Sequence, residues 1–210
     1  MQIAIVLYPR FTALDVVGPY EVLKLMPDVD VRFVAHEVGP VLADSGMLSL
    51  MATDTYSDID APDIVLIPGS PIGTEDAMAD PVLQEWLKRV HETTTWTTSV
   101  CTGSLVLGAA GILQGLPATS HWSVQDRLAE FGAESRPGDR IVRAGKVATG
   151  AGVSAGIDFA LWLAGEICGE ERARMIQLVI EYDPQPPFDS GHPHKVTEDF
   201  IDRTVAAMVP

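Results

Sequence analysis

The fold is decided by the stretch Trp96-Thr-Thr-Ser-Val-Cys101-Thr-Gly-Ser-Leu-Val-Leu-Gly-Ala-Ala-Gly111. Its first five residues are mostly apolar or β-branched and predict a buried strand over residues 96–100. Small and aliphatic residues then predict a helix over 102–113, with almost no loop between strand and helix. Cys101 therefore lies in a sharp strand-to-helix turn, the arrangement known as a nucleophile elbow.

Short β-branched runs alternate with segments of helical period along the rest of the chain. Strands are predicted at residues 3–8, 29–36, 64–67, 96–100 and 147–149. Helices are predicted at residues 16–26, 81–92, 102–113, 124–131, 154–168, 170–182 and 196–208. The alternation predicts an α/β fold, a doubly wound and mostly parallel sheet with helices on both faces. Two hairpins, at 41–52 and 141–148, are expected as small additions to this sheet.

The composition is typical of one globular domain, which we expect to cover residues 1–210. Hydrophobic residues make up 47% of the chain and charged residues 20%, which allows a large core. Lys and Arg number 14 against 29 Asp and Glu, so the net charge of −15 disfavours nucleic acid and anionic membranes as partners. Because no apolar run reaches the roughly 18 residues that span a bilayer, and no basic leader opens the chain, we expect a cytoplasmic protein.

Cys101 is the first candidate for chemistry. Ligands of open α/β sheets bind at the carboxyl ends of the strands, where the elbow places this side chain. The N–H groups at the start of the following helix favour the thiolate, which is the nucleophilic form of cysteine. The alternative is that Cys101 is a small apolar residue that fills a tight junction. Spacing alone leaves both interpretations open.

Asp15 follows the first predicted strand and is flanked by Leu14 and Val16. One interpretation is that it caps the first helix by accepting backbone N–H bonds. The other is that it converges on Cys101, because both residues follow parallel strands of the same sheet. Burial beside a thiolate would raise the pKa of Asp15 and keep it protonated as a donor.

A third feature, Ile67-Pro-Gly69-Ser70, ends an apolar strand at the same edge of the sheet. The backbone N–H groups of Gly69 and Ser70 are candidate donors to an anion, the usual companions of a nucleophile in acyl transfer. Pro-Gly is also an ordinary turn. The functional interpretation gains weight only because three strand ends meet at one place.

Four other features carry weaker signals. His121 precedes Trp122 and is more typical of a packing residue than of a base for Cys101. His192 and His194 lie on a proline-rich loop and do not form a convincing metal site, so we predict no metal. Cys168 is expected to be packing. The glycines of Thr149-Gly-Ala-Gly152 lack the spacing of a dinucleotide site, so no cofactor is expected.

The chain resembles the ThiJ/PfpI superfamily, which has a class I glutamine amidotransferase-like, flavodoxin-type fold. The matching blocks include Leu14-Asp-Val-Val-Gly-Pro19, Ile67-Pro-Gly69, Thr98-Ser-Val-Cys-Thr-Gly-Ser-Leu-Val-Leu-Gly-Ala-Ala-Gly111, Ala118-Thr-Ser-His-Trp122, Gly156-Ile-Asp-Phe-Ala-Leu161 and Glu181-Tyr-Asp-Pro-Gln-Pro-Pro-Phe188. Many relatives carry Glu at the position of Asp15 and His after the nucleophile. Asp15 and Thr102 here are similar to the branch that hydrates isocyanides. Ser70 departs from the family, which usually has a second Gly there.

The resemblance implies a flavodoxin-like fold, a homodimer and no cofactor. It also implies that the enzyme hydrates isocyanides to N-substituted formamides through a thioimidate. In this reaction Cys101 is the nucleophile, Asp15 transfers protons, and Thr102, Gly69 and Ser70 orient the substrate or stabilise charge. Two alternatives stay open. One is redox sensing or glyoxalase-like chemistry at Cys101, and the other is a ligand-sensing domain related to transcription regulators.

Overall fold

The computed structural model describes residues 1–208. Its strands are β1 Gln2–Val6, β2 Asp30–Ala35, β3 Gly39–Leu42, β4 Ser49–Ala52, β5 Asp54–Thr55, β6 Ile64–Ile67, β7 Trp96–Val100, β8 Pro117–Ala118, β9 Glu134–Ser135, β10 Ile141–Ala144 and β11 Val147–Gly150. Its α-helices are α1 Ala13–Leu23, α2 Thr74–Ala79, α3 Pro81–Thr93, α4 Gly103–Ala109, α5 Ala155–Cys168, α6 Glu170–Val179 and α7 Glu198–Met208. Two 3-10 helices cover Trp122–Phe131 and Pro193–Lys195.

The main sheet has seven strands in the order β10-β11-β7-β6-β1-β2-β5, and every neighbouring pair except β10–β11 is parallel. The central strands β6 and β7 are buried along their whole length, as the apolar composition of β6 predicts for strands covered on two faces. Helices α1 and α5 pack together, while α4 packs against α2, α3 and the first 3-10 helix. The predicted flavodoxin-like, doubly wound fold is confirmed.

The two predicted hairpins differ in their relation to the main sheet. The first, β3 and β4, is a separate two-stranded antiparallel sheet, as predicted. The second, β10 and β11, is part of the main sheet because β11 pairs in parallel with β7. The prediction that it is an addition to the sheet is therefore wrong, and the end of β11 reaches the same edge as the end of β7.

Two helix predictions also need correction, and one helix was not predicted. The predicted helix at 124–131 is a 3-10 helix that begins at Trp122. The helix predicted at 102–113 ends at Ala109, shortly before Gly111 adopts a left-handed φ of +77°. Helix α2 was not predicted, because Thr74–Ala79 is only six residues long and lacks a clear apolar period.

Residues 1–180 form one compact unit, and the chain after Ile180 forms a second unit that contains the 3-10 helix Pro193–Lys195 and α7. The single domain over residues 1–210 stays a prediction. No helix within residues 1–208 is both long and apolar enough to cross a membrane.

Candidate active site

Cys101 occupies the predicted elbow between β7 and α4. Its φ of 58° lies in the left-handed region, which costs a residue with a side chain about 1–3 kcal/mol. Its N–H donates to the backbone oxygens of Gly150 and Ala151, each at 3.1 Å, and these bonds hold the turn against the end of β11. Gly103 allows the tight turn into α4, because a Cβ there would lie 2.7 Å from the Pro68 oxygen.

Asp15 lies in the first turn of α1, with its side chain fully buried. Thr12 occupies the N-cap position, so the interpretation of Asp15 as the helix cap is wrong. Its Oδ2 accepts a 2.8 Å hydrogen bond from the N–H of Gly69. The carboxyl also interacts electrostatically with the neighbouring Cys101 thiol. Its Oδ1 has no partner of ordinary hydrogen-bond geometry among the described residues.

Burial raises the pKa of the Asp15 carboxyl from 3.8 to about 7. The hydrogen bonds from the N–H of Gly69 and from the Cys101 side chain partly oppose this rise, and the charge of Asp44 adds to it. At neutral pH the carboxyl is therefore divided between its charged and neutral forms. A group in this range accepts and returns a proton at little cost, which suits general acid–base chemistry.

Burial also raises the pKa of the Cys101 thiol, and the charge of Asp15 adds to the rise. The backbone N–H groups of Val153 and Thr102 lower it without overcoming the burial. The prediction of a resting thiolate is therefore wrong. Only 4% of Cys101 is exposed, and the seven-residue helix α4 does not offset the loss of hydration. Cys101 keeps its proton at neutral pH, beside a carboxyl group that is able to take it.

Gly69 and Ser70 lie beside this pair, at the end of β6, but their N–H groups already have acceptors. The Gly69 N–H binds Asp15. The Ser70 N–H donates to the Thr102 hydroxyl at 2.8 Å and to the Thr74 hydroxyl at 3.1 Å. The sequence prediction requires two free donors for a developing anion, and this arrangement does not provide them. Both groups instead fix side chains of the site.

The side chain of Ser70 forms hydrogen bonds with nearby backbone groups. Its hydroxyl donates to the backbone oxygen of Arg10 and accepts from the N–H of Gly73 at 2.8 Å and of Ile72 at 3.2 Å. The Ser70 hydroxyl thus closes the turn that leads into α2.

Val153 was missed by the sequence prediction, although its backbone N–H is one of the groups that lower the pKa of the Cys101 thiol. The sequence feature next to Val153 is the glycine-rich segment Thr149-Gly-Ala-Gly152, which the sequence analysis tests only as a dinucleotide motif. The segment instead carries the chain past the elbow at the end of β11. Tyr8 was also missed. It is buried near the site, where its hydroxyl donates to the Pro68 oxygen at 2.9 Å.

His121 lies near the elbow without pairing with the nucleophile in the described contacts. Its Nδ1 lies 2.7 Å from the Ser123 hydroxyl, and its ring packs against Trp122 and Gly152. Burial lowers the pKa of its imidazole. These contacts agree with the packing role favoured by the sequence.

The sequence profile of the DJ-1/PfpI family matches residues 1–166. The chain belongs to the DJ-1/PfpI family. An isonitrile hydratase from Pseudomonas putida is 42% identical over 210 residues, which cover 100% of this chain and 91% of that protein. The crystal structure of a ThiJ/PfpI family protein from Pseudomonas syringae matches with a TM-score of 0.94 and 37% identity, over 98% of this chain and 85% of that one.

A third similar protein belongs to another functional class. The HTH-type transcriptional regulator CdhR of Pseudomonas aeruginosa is 28% identical over 174 residues, which cover 80% of this chain and 51% of the regulator. The resemblance to the ThiJ/PfpI superfamily inferred from the sequence blocks is confirmed.

Proposed function

We propose that this protein is an enzyme that hydrates isocyanides to N-substituted formamides. The observation that carries the proposal is the buried pair of Cys101 and Asp15, a protonated thiol beside a carboxyl whose pKa is about 7. Full-length similarity to an isonitrile hydratase supports the choice of substrate class. The terminal carbon of an isocyanide accepts both a nucleophile and a proton, and this pair supplies both.

The first step adds the thiol of Cys101 across the terminal carbon. As the sulfur attacks, its proton passes to the Asp15 carboxylate, which delivers it to the same carbon. The S–H bond breaks while S–C and C–H bonds form, and the product is the thioimidate R–N=CH–S–Cys101. The N–H groups of Thr102 and Val153 stabilise the sulfur while it carries charge.

The second step adds water to the thioimidate. Asp15 takes one proton from the water as the water oxygen bonds to the carbon, and it passes this proton to the nitrogen. The C–S bond then breaks as the C=O bond forms, the remaining hydroxyl proton passes through Asp15 to the sulfur, and R–NH–CHO leaves. The sum of the two steps is the addition of one water to one isocyanide, which gives one N-substituted formamide. Gly69 contributes by holding the Asp15 carboxylate, and Ser70 contributes by holding the Thr102 side chain.

The test is to incubate purified protein with cyclohexyl isocyanide and follow the formation of the formamide. We expect turnover by the wild type and by Cys168→Ala, because Cys168 ends α5 outside the candidate site. We expect none from Cys101→Ala. Intact-mass measurement after rapid acid quench should show an adduct equal to the mass of one isocyanide on the wild type. Full activity of Cys101→Ala would eliminate the mechanism.

We further propose that the protein acts in the cytoplasm as a homodimer. The family resemblance supports the dimer, and so do the exposed apolar side chains of Leu42, Met47 and Met51 on the hairpin of β3 and β4. Sedimentation equilibrium should give twice the chain mass. A monomer at micromolar concentration would contradict this proposal without affecting the chemistry.

Ligand sensing is the second candidate function, favoured by the similarity to a transcription regulator. It predicts tight binding of a small molecule without turnover, measured by calorimetry on the same isocyanides. Redox sensing is less well supported, because a buried thiol with a raised pKa oxidises slowly. Mass spectrometry after mild peroxide treatment should therefore show little oxidation of Cys101.

A further inference from the structure

Two buried threonine hydroxyls meet behind the elbow. Thr74 opens helix α2 and Thr102 precedes α4, and only 5% and 6% of these residues are exposed. Their hydroxyl oxygens lie 2.6 Å apart. Both also contact the backbone of Ser70, whose N–H donates to each of them and whose oxygen lies 2.7 Å from the Thr74 hydroxyl and 3.2 Å from that of Thr102.

These distances show which acceptors lie near the Thr102 hydroxyl proton. At 2.6 Å a proton must lie between the two hydroxyl oxygens, since two facing lone pairs would repel. If that proton belongs to Thr102, Thr74 donates to the Ser70 oxygen at 2.7 Å. If it belongs to Thr74, the Thr102 hydroxyl has the Ser70 oxygen at 3.2 Å as an acceptor. In both arrangements the Thr102 proton has an acceptor within the protein.

Thr102 is nevertheless linked to both reacting groups, the Cys101 thiol and the Asp15 carboxyl. Its own N–H is one of the groups that lower the pKa of the Cys101 thiol. Its side chain lies against Gly69, where an added Cβ would be 2.5 Å from the Thr102 hydroxyl oxygen. Gly69 in turn holds Asp15. A shift of Thr102 therefore moves the donors to the sulfur and to the carboxylate together.

We propose that Thr74 is a positioning residue for the hydration reaction. Its hydroxyl fixes the Thr102 side chain and the Ser70 peptide, and through them the geometry of Cys101 and Asp15. This inference rests on the proposed function. It assigns to Thr102 the role of a link rather than that of a donor to the substrate.

The first test is Thr74→Val, which removes the hydroxyl and keeps the shape of the side chain. We expect kcat to fall about tenfold or more with KM within about twofold, because geometry at the reacting atoms is lost while substrate binding is not. Thr74→Ser should restore kcat to within about threefold of the wild type. Thr94→Val is the matched control, because its buried hydroxyl also pairs with a threonine, Thr97 at 2.7 Å, outside the candidate site.

The second test separates a positioning role from a structural one. Thr74→Val should cost less than about twofold in kcat when added to Thr102→Val, because Thr74 acts through Thr102. Equal losses in both backgrounds, or a Thr74→Ser variant as impaired as Thr74→Val, would overturn the proposal. Thermal unfolding is measured for every variant, and Thr74→Ala replaces Thr74→Val if the latter does not fold.

The third test does not depend on isocyanides. The rate at which iodoacetamide alkylates Cys101 at pH 8 should fall at least threefold in Thr74→Val and stay within about twofold of the wild type in Thr74→Ser and Thr94→Val. Unchanged alkylation in Thr74→Val would overturn the positioning role. If the wild type forms no formamide, the proposed function fails, and the alkylation rates still decide whether Thr74 positions the thiol.

Discussion

Replacing Asp15 by Asn should change how the stability of the protein depends on pH. Asp15 has a pKa of about 7 in the folded protein against 3.8 as its ordinary value. The folded state therefore binds this proton more tightly than the unfolded state does. The stabilisation is complete below about pH 4 and is lost as the pH rises towards 7. At roughly 1.4 kcal/mol per pKa unit, the loss amounts to about 4 kcal/mol.

Asparagine does not ionise, so this dependence should be absent from Asp15→Asn. Urea unfolding of wild type and variant at several pH values between 4 and 8 measures the difference between their free energies of unfolding. We expect that difference to move by up to about 4 kcal/mol in favour of the variant as the pH rises. The exposed Asp60→Asn controls for the change of net charge. Parallel pH curves for wild type and Asp15→Asn would refute the reasoning.

The remaining predictions concern catalysis and local packing. The kcat/KM of the wild type should rise with pH through about 7 and then level off, because the reaction needs Asp15 ionised to accept the thiol proton; a flat profile from pH 5 to 9 would contradict this. Gly69→Ala should lower kcat/KM about a hundredfold, because its Cβ must displace Thr102 and Cys101 from contacts of 2.5 and 2.9 Å. Gly165→Ala, where a Cβ meets only an ordinary 3.7 Å contact, should retain full activity in the same assay. Lys146→Met should lower the free energy of unfolding by about 2 kcal/mol in urea titrations and leave kcat unchanged, because the ammonium group binds backbone oxygens at the end of α3.

The sequence predicted the positions of Cys101 and Asp15 better than it predicted their protonation states. The elbow at Cys101 and the apolar flanks of Asp15 place both groups after parallel strands, and parallel strands end at one edge of the sheet. The protonation states of the Cys101 thiol and the Asp15 carboxyl depend on burial, and burial depends on which segments of the chain cover these two residues. Val153 lies in the turn after β11, more than 50 positions after Cys101, and is outside what local spacing predicts.

The role of Thr102 shows a second limit of sequence reasoning. A hydroxyl next to a nucleophile predicts a donor to the substrate. Here the hydroxyl lies within hydrogen-bonding distance of Thr74 and Ser70, which lie about 30 residues earlier in the chain. The same limit applies to the N–H groups of Gly69 and Ser70, because the sequence does not show whether a backbone N–H is free or already hydrogen-bonded. Hydrogen-bond partners across a fold are set by tertiary contacts.

The bonds from the Cys101 N–H to the oxygens of Gly150 and Ala151 have a consequence for biosynthesis. Ribosomes extend a polypeptide from its amino terminus, so the segments that carry Asp15, Gly69 and Cys101 emerge before β11 does. The left-handed turn at the nucleophile lacks its backbone anchors until the segment after β11 has been made. A chain that stops before residue 150 lacks both acceptors, so the turn at Cys101 is without the two backbone hydrogen bonds that hold it in the finished protein.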